Sequence, residues 1–409
     1  MAFDAQVVVA GAGPAGAVAA RTLAAAGIDT LLVDRATFPR NKPCGGGLTA
    51  RAVARFPWLS AVLATIDVQP IARLHLEGPD GSAVDMGSSD PVGFLVRRVV
   101  FDHGLVLEAT RAGARLLEGF EITQVETDAA SVTLRSRDGR TLTAPQVVAA
   151  DGVHSVMAKR LGVNARWPPE SLAIDMMEET PHATLRAERP DEVWIAYAYQ
   201  GLDGYSYIFP KVHHVNVGIG CLLSHFKGEV MSRPYALQEQ FVSSLVDAGL
   251  LHGRSDRGCF TPFLIPVGGP LPKAWHGRVL FTGDAGGFVN AVTAEGIFYA
   301  MVVGELAGRA IAATRGDRPE AAGRAYQRLW RAEVGAELRD SVWVQRYLFA
   351  RHERVSRLVR GSARLPWLAD LIMDYTKGTR SYADVRRQIF LRFPMTALKL
   401  LGRTLNPEP

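Results

Sequence analysis

The chain is poor in cysteine and in long apolar runs, and both shortages narrow what it can be. Its three cysteines, Cys44, Cys221 and Cys259, are too few for a disulfide framework, and none forms a CxxC pair. Nor can they complete a tetra-thiolate iron–sulfur site, and the scattered histidines offer no zinc-ligand spacing, so no metal is expected. Uninterrupted apolar stretches stay below the about 18 residues of a spanning helix. Residues 1–6 lack the basic start of a secretory signal. The expectation is a cytoplasmic protein. Internal repeats and low-complexity tracts are also missing. With 48% hydrophobic and 21% charged residues, the 409-residue chain reads as folded, with two or three domains.

Charge is unevenly spread. From Arg315 to the end there are 19 Lys+Arg against 10 Asp+Glu, within a chain of net charge +5. Such a tail suits an anionic partner, a membrane face or a nucleic acid, or is simply an arginine-rich solvated helix surface.

The strongest positive signal comes early. An apolar run, Val7–Ala10, feeds Gly11-Ala12-Gly13-Pro14-Ala15-Gly16, and a helix-forming segment follows to Ala26. In a GxGxxG turn, Gly11 permits the tight bend and Gly13 lets the backbone approach a pyrophosphate. Gly16 lets helix and strand pack closely, and the helix N-terminus faces the negative charge. A second apolar run, Thr30–Val33, ends at Asp34-Arg35. That places a carboxylate about 20 residues beyond the glycines, where ribose hydroxyls donate. A dinucleotide is expected.

Further along, Phe38–Leu48 reads as a Pro/Gly-rich loop, and residues 68–96 alternate like strands. A helix is expected from about Val99 to Ala112. Strands follow to Val125 and near Val132–Leu134, with a hairpin turn at Asp138-Gly139 and a buried strand at Gln146–Ala150. From about Leu172 to Pro266 the period is close to two. Arg278–Thr282 returns as a strand, Glu295–Ala313 as a helix, and the remainder is helical. The expected fold is α/β, a Rossmann-type domain (1–67, 97–170, 276–314) interleaved with an antiparallel β-sheet substrate domain (68–96, 171–275). C-terminal helices (315–409) complete it. Ligands would sit in the cleft between the two domains.

Four stations in order resemble the flavoprotein monooxygenase-like superfamily: the GxGxxG turn, Arg98-Val-Val-Phe101-Asp102, Asp151-Gly152 and Gly283-Asp284-Ala285. Within it the chain resembles the geranylgeranyl reductase family, on three stretches: Lys42-Pro43-Cys44-Gly45-Gly46-Gly47-Leu48, Gly204–Lys211 with Val215–Gly220, and Ala294-Glu295-Gly296-Ile297. The resemblance implies FAD, contacted by Ala15, Asp34, Cys44, Gly45, Gly47, Arg98, Asp284, Gly296 and Ile297. Ile122 would add a backbone contact. Pro14, Arg35, Gly46, Asp151 and Gly283 belong to the same motifs. It also implies reduction of C=C bonds in a prenyl lipid chain. Family members carry Tyr-x-Trp-x-Phe-Pro where this chain has Tyr205-Ser-Tyr207-Ile-Phe209-Pro210, a smaller aromatic wall.

Such a double bond is unactivated, so hydride addition needs a proton at the neighbouring carbon. Aromatic faces stabilise the cationic character that develops. Tyr205 and Tyr207, two apart on a strand, share one face. They either border the flavin and the prenyl chain or simply pack a core. Cys44 either donates the proton or shapes the pocket. Lys211 either carries positive charge near the flavin or lies at the surface, the surface being expected, and Cys221 and Cys259 are expected in the core. The flavin would be reduced by NAD(P)H or a ferredoxin-like carrier. Cations interleave with large apolar residues over Arg386–Arg403, which suits peripheral membrane contact or a helix packed on the body. Nucleic acid is not an expected partner. An aromatic hydroxylase of the same superfamily is the rival reading, and a non-catalytic flavin-stabilised lipid binder a further one.

Overall fold

A computed structural model describes residues 3–230, 233–314 and 319–392 of the chain. Its central sheet has the order Trp275–His276, Val279–Phe281, Gln146–Ala149, Val7–Ala10, Thr30–Val33, Arg115–Leu117. All neighbours run parallel except the terminal hairpin at Trp275–Phe281. Strand Val7–Ala10 is buried along its whole length, which is why it reads as continuously apolar rather than alternating. Five of the six strands come from before residue 150 or after residue 278, so the chain leaves this sheet and returns to it.

Helix Pro14–Ala25 packs on one face of the sheet against helix Ile297–Ala313. Their axes approach closely because small residues meet there. A Cβ on Gly304 would stand 2.2 Å from the Ala15 carbonyl oxygen, and one on Gly308 would stand 2.8 Å from Thr22 Cβ.

The intervening segments build a seven-stranded sheet: Phe260–Pro266, Leu172–Pro181, His214–Leu222, Gly204–Pro210, Glu192–Tyr197, Arg73–Glu77, Ala83–Gly87. It is mixed rather than purely antiparallel, because Glu192–Tyr197 runs parallel to Arg73–Glu77. The expected strands of residues 68–96 divide. Arg73–Glu77 and Ala83–Gly87 join this sheet, while Val68–Ile71 and Gly93–Val96 pair with Gly47–Thr49 in a small separate one. Strand Glu192–Tyr197 ends where it does because Ala198 and Gln200 take positive φ values of 53° and 50° and turn the chain.

Period-two alternation fixes the two faces of the large sheet. Trp194, Val217 and Ile219 pack under Phe241 and Leu245 of helix Pro234–Asp247. Val193, Ile195 and Tyr197 point the other way, into a cluster with Ile71, Val92, Val359 and Met373. The C-terminal helices close over that cluster. Helix His352–Arg364 lies on strand Ala83–Gly87, and helix Pro366–Lys377 on helix Ala50–Arg55. No helix among the described residues is long and apolar enough to cross a membrane.

Candidate active site

A cavity of about 1020 Å³ lies between the two large sheets. One end sits at the carboxyl ends of the parallel strands, where Gly11, Asp34, Asp151 and Gly283-Asp284 each follow a strand. Ligands of doubly wound folds bind at that position. Gly11 has φ 98°, and a Cβ there would lie 2.3 Å from the Ala150 carbonyl oxygen. Only glycine makes this turn. Two helix N-termini, at Gly13 and Gly296, reach the cavity without a side-chain cap. Their free N–H groups and dipoles favour negative charge.

Every residue that the sequence marks as a cofactor contact lines this cavity, Gly16 excepted. Gly16 faces the strand turn, and a Cβ there would stand 1.8 Å from the Gly11 carbonyl oxygen. Asp34 is already engaged by the backbone: Oδ2 accepts from Ala12 N at 2.7 Å and Oδ1 from Ala36 N at 2.8 Å. Its carboxylate is thus held in a fixed orientation at the wall.

Deeper in, Arg98 donates to both oxygens of Asp102, at 2.6 and 2.8 Å, and Arg40 adds a third bond at 2.8 Å. Burial opposes ionisation of Asp102, but the two guanidinium groups outweigh it and hold the carboxyl below its usual range. Arg98 also reaches Cys44. Cys44 lines the cavity, and its Sγ accepts from Gly46 N at 3.4 Å.

The glycines after Cys44 are required by the protein as well as by any ring in the cavity. A Cβ on Gly45 would stand 2.8 Å from Phe209, and one on Gly46, at φ 72°, would stand 2.0 Å from the Val96 carbonyl oxygen. Lys211 lies beneath this loop, 2% exposed and paired with Glu179, which Arg97 also binds at 2.6 Å. The surface position expected for Lys211 is therefore wrong. Desolvation lowers its pKa, with Glu179 resisting. Cys221 is in the core as expected, whereas Cys259 is only half-buried, 3.6 Å from Asp256.

Tyr205 and Tyr207 both face the cavity within an aromatic row from Tyr197 to Phe209, with successive ring centroids 6.1, 6.1 and 4.4 Å apart. The Tyr205 hydroxyl donates to the Thr293 carbonyl oxygen at 2.6 Å. The Tyr207 hydroxyl lies 3.1 and 3.4 Å from the two oxygens of Asp175, which is 5% exposed. Burial pushes Asp175 up to about 7, against the opposing pull of Tyr207 and Lys42.

Sequence reasoning missed Asp175. The signal that marks it is an acid interrupting the apolar first part, residues 172–177, of strand Leu172–Pro181, because unpaired carboxyls are rarely buried. It also missed Arg51. This buried guanidinium binds Glu295 at 2.6 Å, Glu337 at 3.0 Å and the Tyr299 hydroxyl at 2.8 Å, and lies 4.0 Å over the Phe298 ring. Tyr375, on the last long helix, completes the cluster. Glu295 sits within a quoted motif; Glu337 and Tyr375 carry no local signal at all.

The residues present fit a flavin dinucleotide. Uncapped N–H groups meet the place for a diphosphate, and the buried Asp151 Oδ1 on the wall has no protein partner. Of the C-terminal stretch read as a membrane contact, residues 386–392 are helical, with Ile389, Phe390 and Leu391 exposed. Residues 393–403 lie outside the described part.

The chain is similar to known proteins. The model of the FAD binding domain family matches residues 4–216. A menaquinone reductase of Mycobacterium tuberculosis is 34% identical over 325 residues, covering 74% of this chain and 76% of that protein. A digeranylgeranylglycerophospholipid reductase of Methanocella arvoryzae is 30% identical over 333 residues, covering 76% and 78%. The crystal structure of a geranylgeranyl bacteriochlorophyll reductase-like protein from Thermoplasma acidophilum superposes with a TM-score of 0.77 at 18% identity, over 97% of this chain and 98% of that one, which shows a shared fold. The chain is an FAD-dependent oxidoreductase that belongs to the geranylgeranyl reductase family.

Proposed function

We propose that this protein saturates C=C bonds in the prenyl chain of a lipid. The observation that carries this reading is the far half of the cavity. Beyond the Lys42–Leu48 loop the walls are Ile71, Leu74, Val92, Val193, Ile195 and Ile372, a lining without a charged side chain among those named. Such a wall suits an uncharged, methyl-branched hydrocarbon chain and offers nothing to a small polar ring.

FAD, when bound, supplies hydride. The chain's own groups do the rest. Backbone N–H groups around Gly13 and Ala15 hold the diphosphate, with Asp34 as the ribose acceptor. Arg98 and Asp102 brace the cavity wall beside Cys44. The aromatic row faces the reacting carbon, and each ring face stabilises cationic character by about 0.5–2 kcal/mol. Apolar packing excludes water from that carbon. The reductant is proposed to be NAD(P)H or a ferredoxin-like carrier acting transiently, and contact with a membrane surface through residues 386–392 would bring the lipid within reach.

The test is anaerobic. The FAD-loaded protein is reduced by dithionite and mixed with menaquinone or with a digeranylgeranyl glycerophospholipid; the lipids are then extracted, reoxidised in air so that any quinol returns to quinone, and weighed by mass spectrometry. A gain of two hydrogens per bond is expected. Oxygen uptake coupled to ring hydroxylation, with no hydrogen gain, would replace this reading with that of a hydroxylase.

A further inference from the structure

A second, small pocket of about 40 Å³ adjoins the main cavity. Asp175, Tyr205 and Tyr207 line both, so these side chains form the partition between them. The small pocket also touches Asp203 and Gln345. A water molecule needs roughly 10–15 Å³ and a few polar partners, and both are provided. Asp203 is itself partly exposed and pairs with His225 at 3.5 Å and His352 at 3.2 Å. The pocket thus borders both the partly exposed Asp203 and the buried Asp175, whose carboxyl is bonded to the Tyr207 hydroxyl.

We propose that Asp175 and Tyr207 form a proton relay, which passes a proton from the small pocket to the substrate in the main cavity. This rests on the reading of the protein as a prenyl reductase. Tyr207 is the donor to the alkene carbon, and Asp175 is the positioning residue that resupplies it. One carbon of the double bond takes hydride from the reduced flavin. Its neighbour takes the Tyr207 proton as that O–H bond breaks. The Asp175 carboxyl gives its own proton to the tyrosine oxygen in the same motion, and the carboxylate is reprotonated from the small pocket. The alkene gains one hydride and one proton, and Tyr207 ends as it began.

Two further observations support the relay. Burial pushes Tyr207 well above its ordinary pKa, so its phenolate is not left standing and the net acid is Asp175. Asp175 is held near neutrality, where an acid is both protonated and willing to give. Geometry allows the exchange because Gly218 faces the ring: a Cβ there would stand 2.6 Å from Tyr207 Oη. The relay also gives the tyrosine at position 207 a purpose that a tryptophan could not serve, since indole N–H does not accept a proton to pass on.

The variants Asp175→Asn and Tyr207→Phe test it in the full FAD-loaded protein. Both keep the shape of the side chain, and the flavin absorbance reports that each has folded. Infrared difference spectra of the oxidised protein should show the carbonyl band of a protonated carboxyl below neutral pH, titrating near 7 and absent from Asp175→Asn. The groups facing Asp175 are Tyr205 and Tyr207, two strands away in the same sheet, Cys221, Lys42 and Asp203; on the adjacent strand stands Phe263. Turnover of menaquinone should fall on the order of 10²-fold or more in either variant. Absence of the band in the unaltered protein overturns the relay, and so does parental turnover by Asp175→Asn. Should the unaltered protein reduce no prenyl lipid, the functional reading falls on that result alone, while the infrared band still decides whether Asp175 holds its proton.

Discussion

The two ends of the cavity are built by different means. At the nucleotide end the contacts come from backbone: glycines with positive φ, uncapped helix N-termini, and a carboxylate tied to N–H groups two residues away and across one turn. At the other end they come from side chains brought together over long distances, such as Arg51 with Glu295 and Glu337, and Tyr207 with Asp175. Backbone geometry tolerates almost no substitution but needs few residues. Side-chain walls can be exchanged one at a time, which lets a shared cofactor site serve different substrates.

Gly11→Ala should break the first end most severely. The added Cβ meets the Ala150 carbonyl oxygen at 2.3 Å and the residue must keep φ at 98°. Strain and overpacking cost about 1–3 kcal/mol each. The purified variant is expected to be colourless, with a lowered melting temperature; visible absorbance and thermal unfolding check both.

Arg51→Ala attacks the second end. It leaves Glu295 and Glu337 buried without their cation, and such a loss costs about 3–5 kcal/mol. Burial already pushes Glu337 upward, with Arg51 opposing, so the variant should take up a proton there on folding. Urea unfolding should report the destabilisation while flavin titration returns the parental affinity. Loss of flavin as well would show that the two ends are coupled.

These differences explain what the sequence disclosed. The glycine turn, Asp34, Asp151 and Gly283-Asp284 are contiguous motifs at strand ends, and local periodicity was enough to place them. Tyr205 and Tyr207 were legible as one face because a strand alternates. Arg51 was not, because its partners lie 244 and 286 residues away on other elements. Lys211 was misplaced for a related reason: a lysine reads as surface until Glu179, on the strand two places away in the sheet, is seen to neutralise it. The parallel pairing of Glu192–Tyr197 with Arg73–Glu77 joins segments more than a hundred residues apart, and no local pattern announces it.

The pH dependence of stability sharpens the contrast at Asp175. Unfolded, this carboxyl titrates near 3.8; folded, near 7. Between those values the folded state holds a proton that the unfolded chain has released. Its contribution is therefore full below about 4 and is lost as pH rises through 7, by about 1.4 kcal/mol for each unit of the window. Asp175→Asn has no such loss. Urea unfolding at about pH 5 and about pH 8 should show the variant gaining a few kcal/mol on the parent between the two.

The smallest effect is expected at Tyr205, and it separates two tyrosines that the sequence could not. Both rings face the cavity, but the hydroxyl of Tyr205 is committed to the Thr293 carbonyl oxygen at 2.6 Å, on the segment that leads to Gly296. A hydroxyl so committed positions a loop, and its bond goes to a carbonyl oxygen rather than to an acid that could resupply a proton. Tyr205→Phe keeps the ring and removes one hydrogen bond, worth about 0.5–1.5 kcal/mol. Melting temperature should drop slightly, and turnover with menaquinone should stay near that of the parent. Tyr207→Phe, which changes the same single atom two residues along, should instead lose most of its turnover with its flavin in place. Equal losses in the two variants would mean that the aromatic row acts through its hydroxyls alike, and the distinction between a positioning tyrosine and a proton-donating one would not stand.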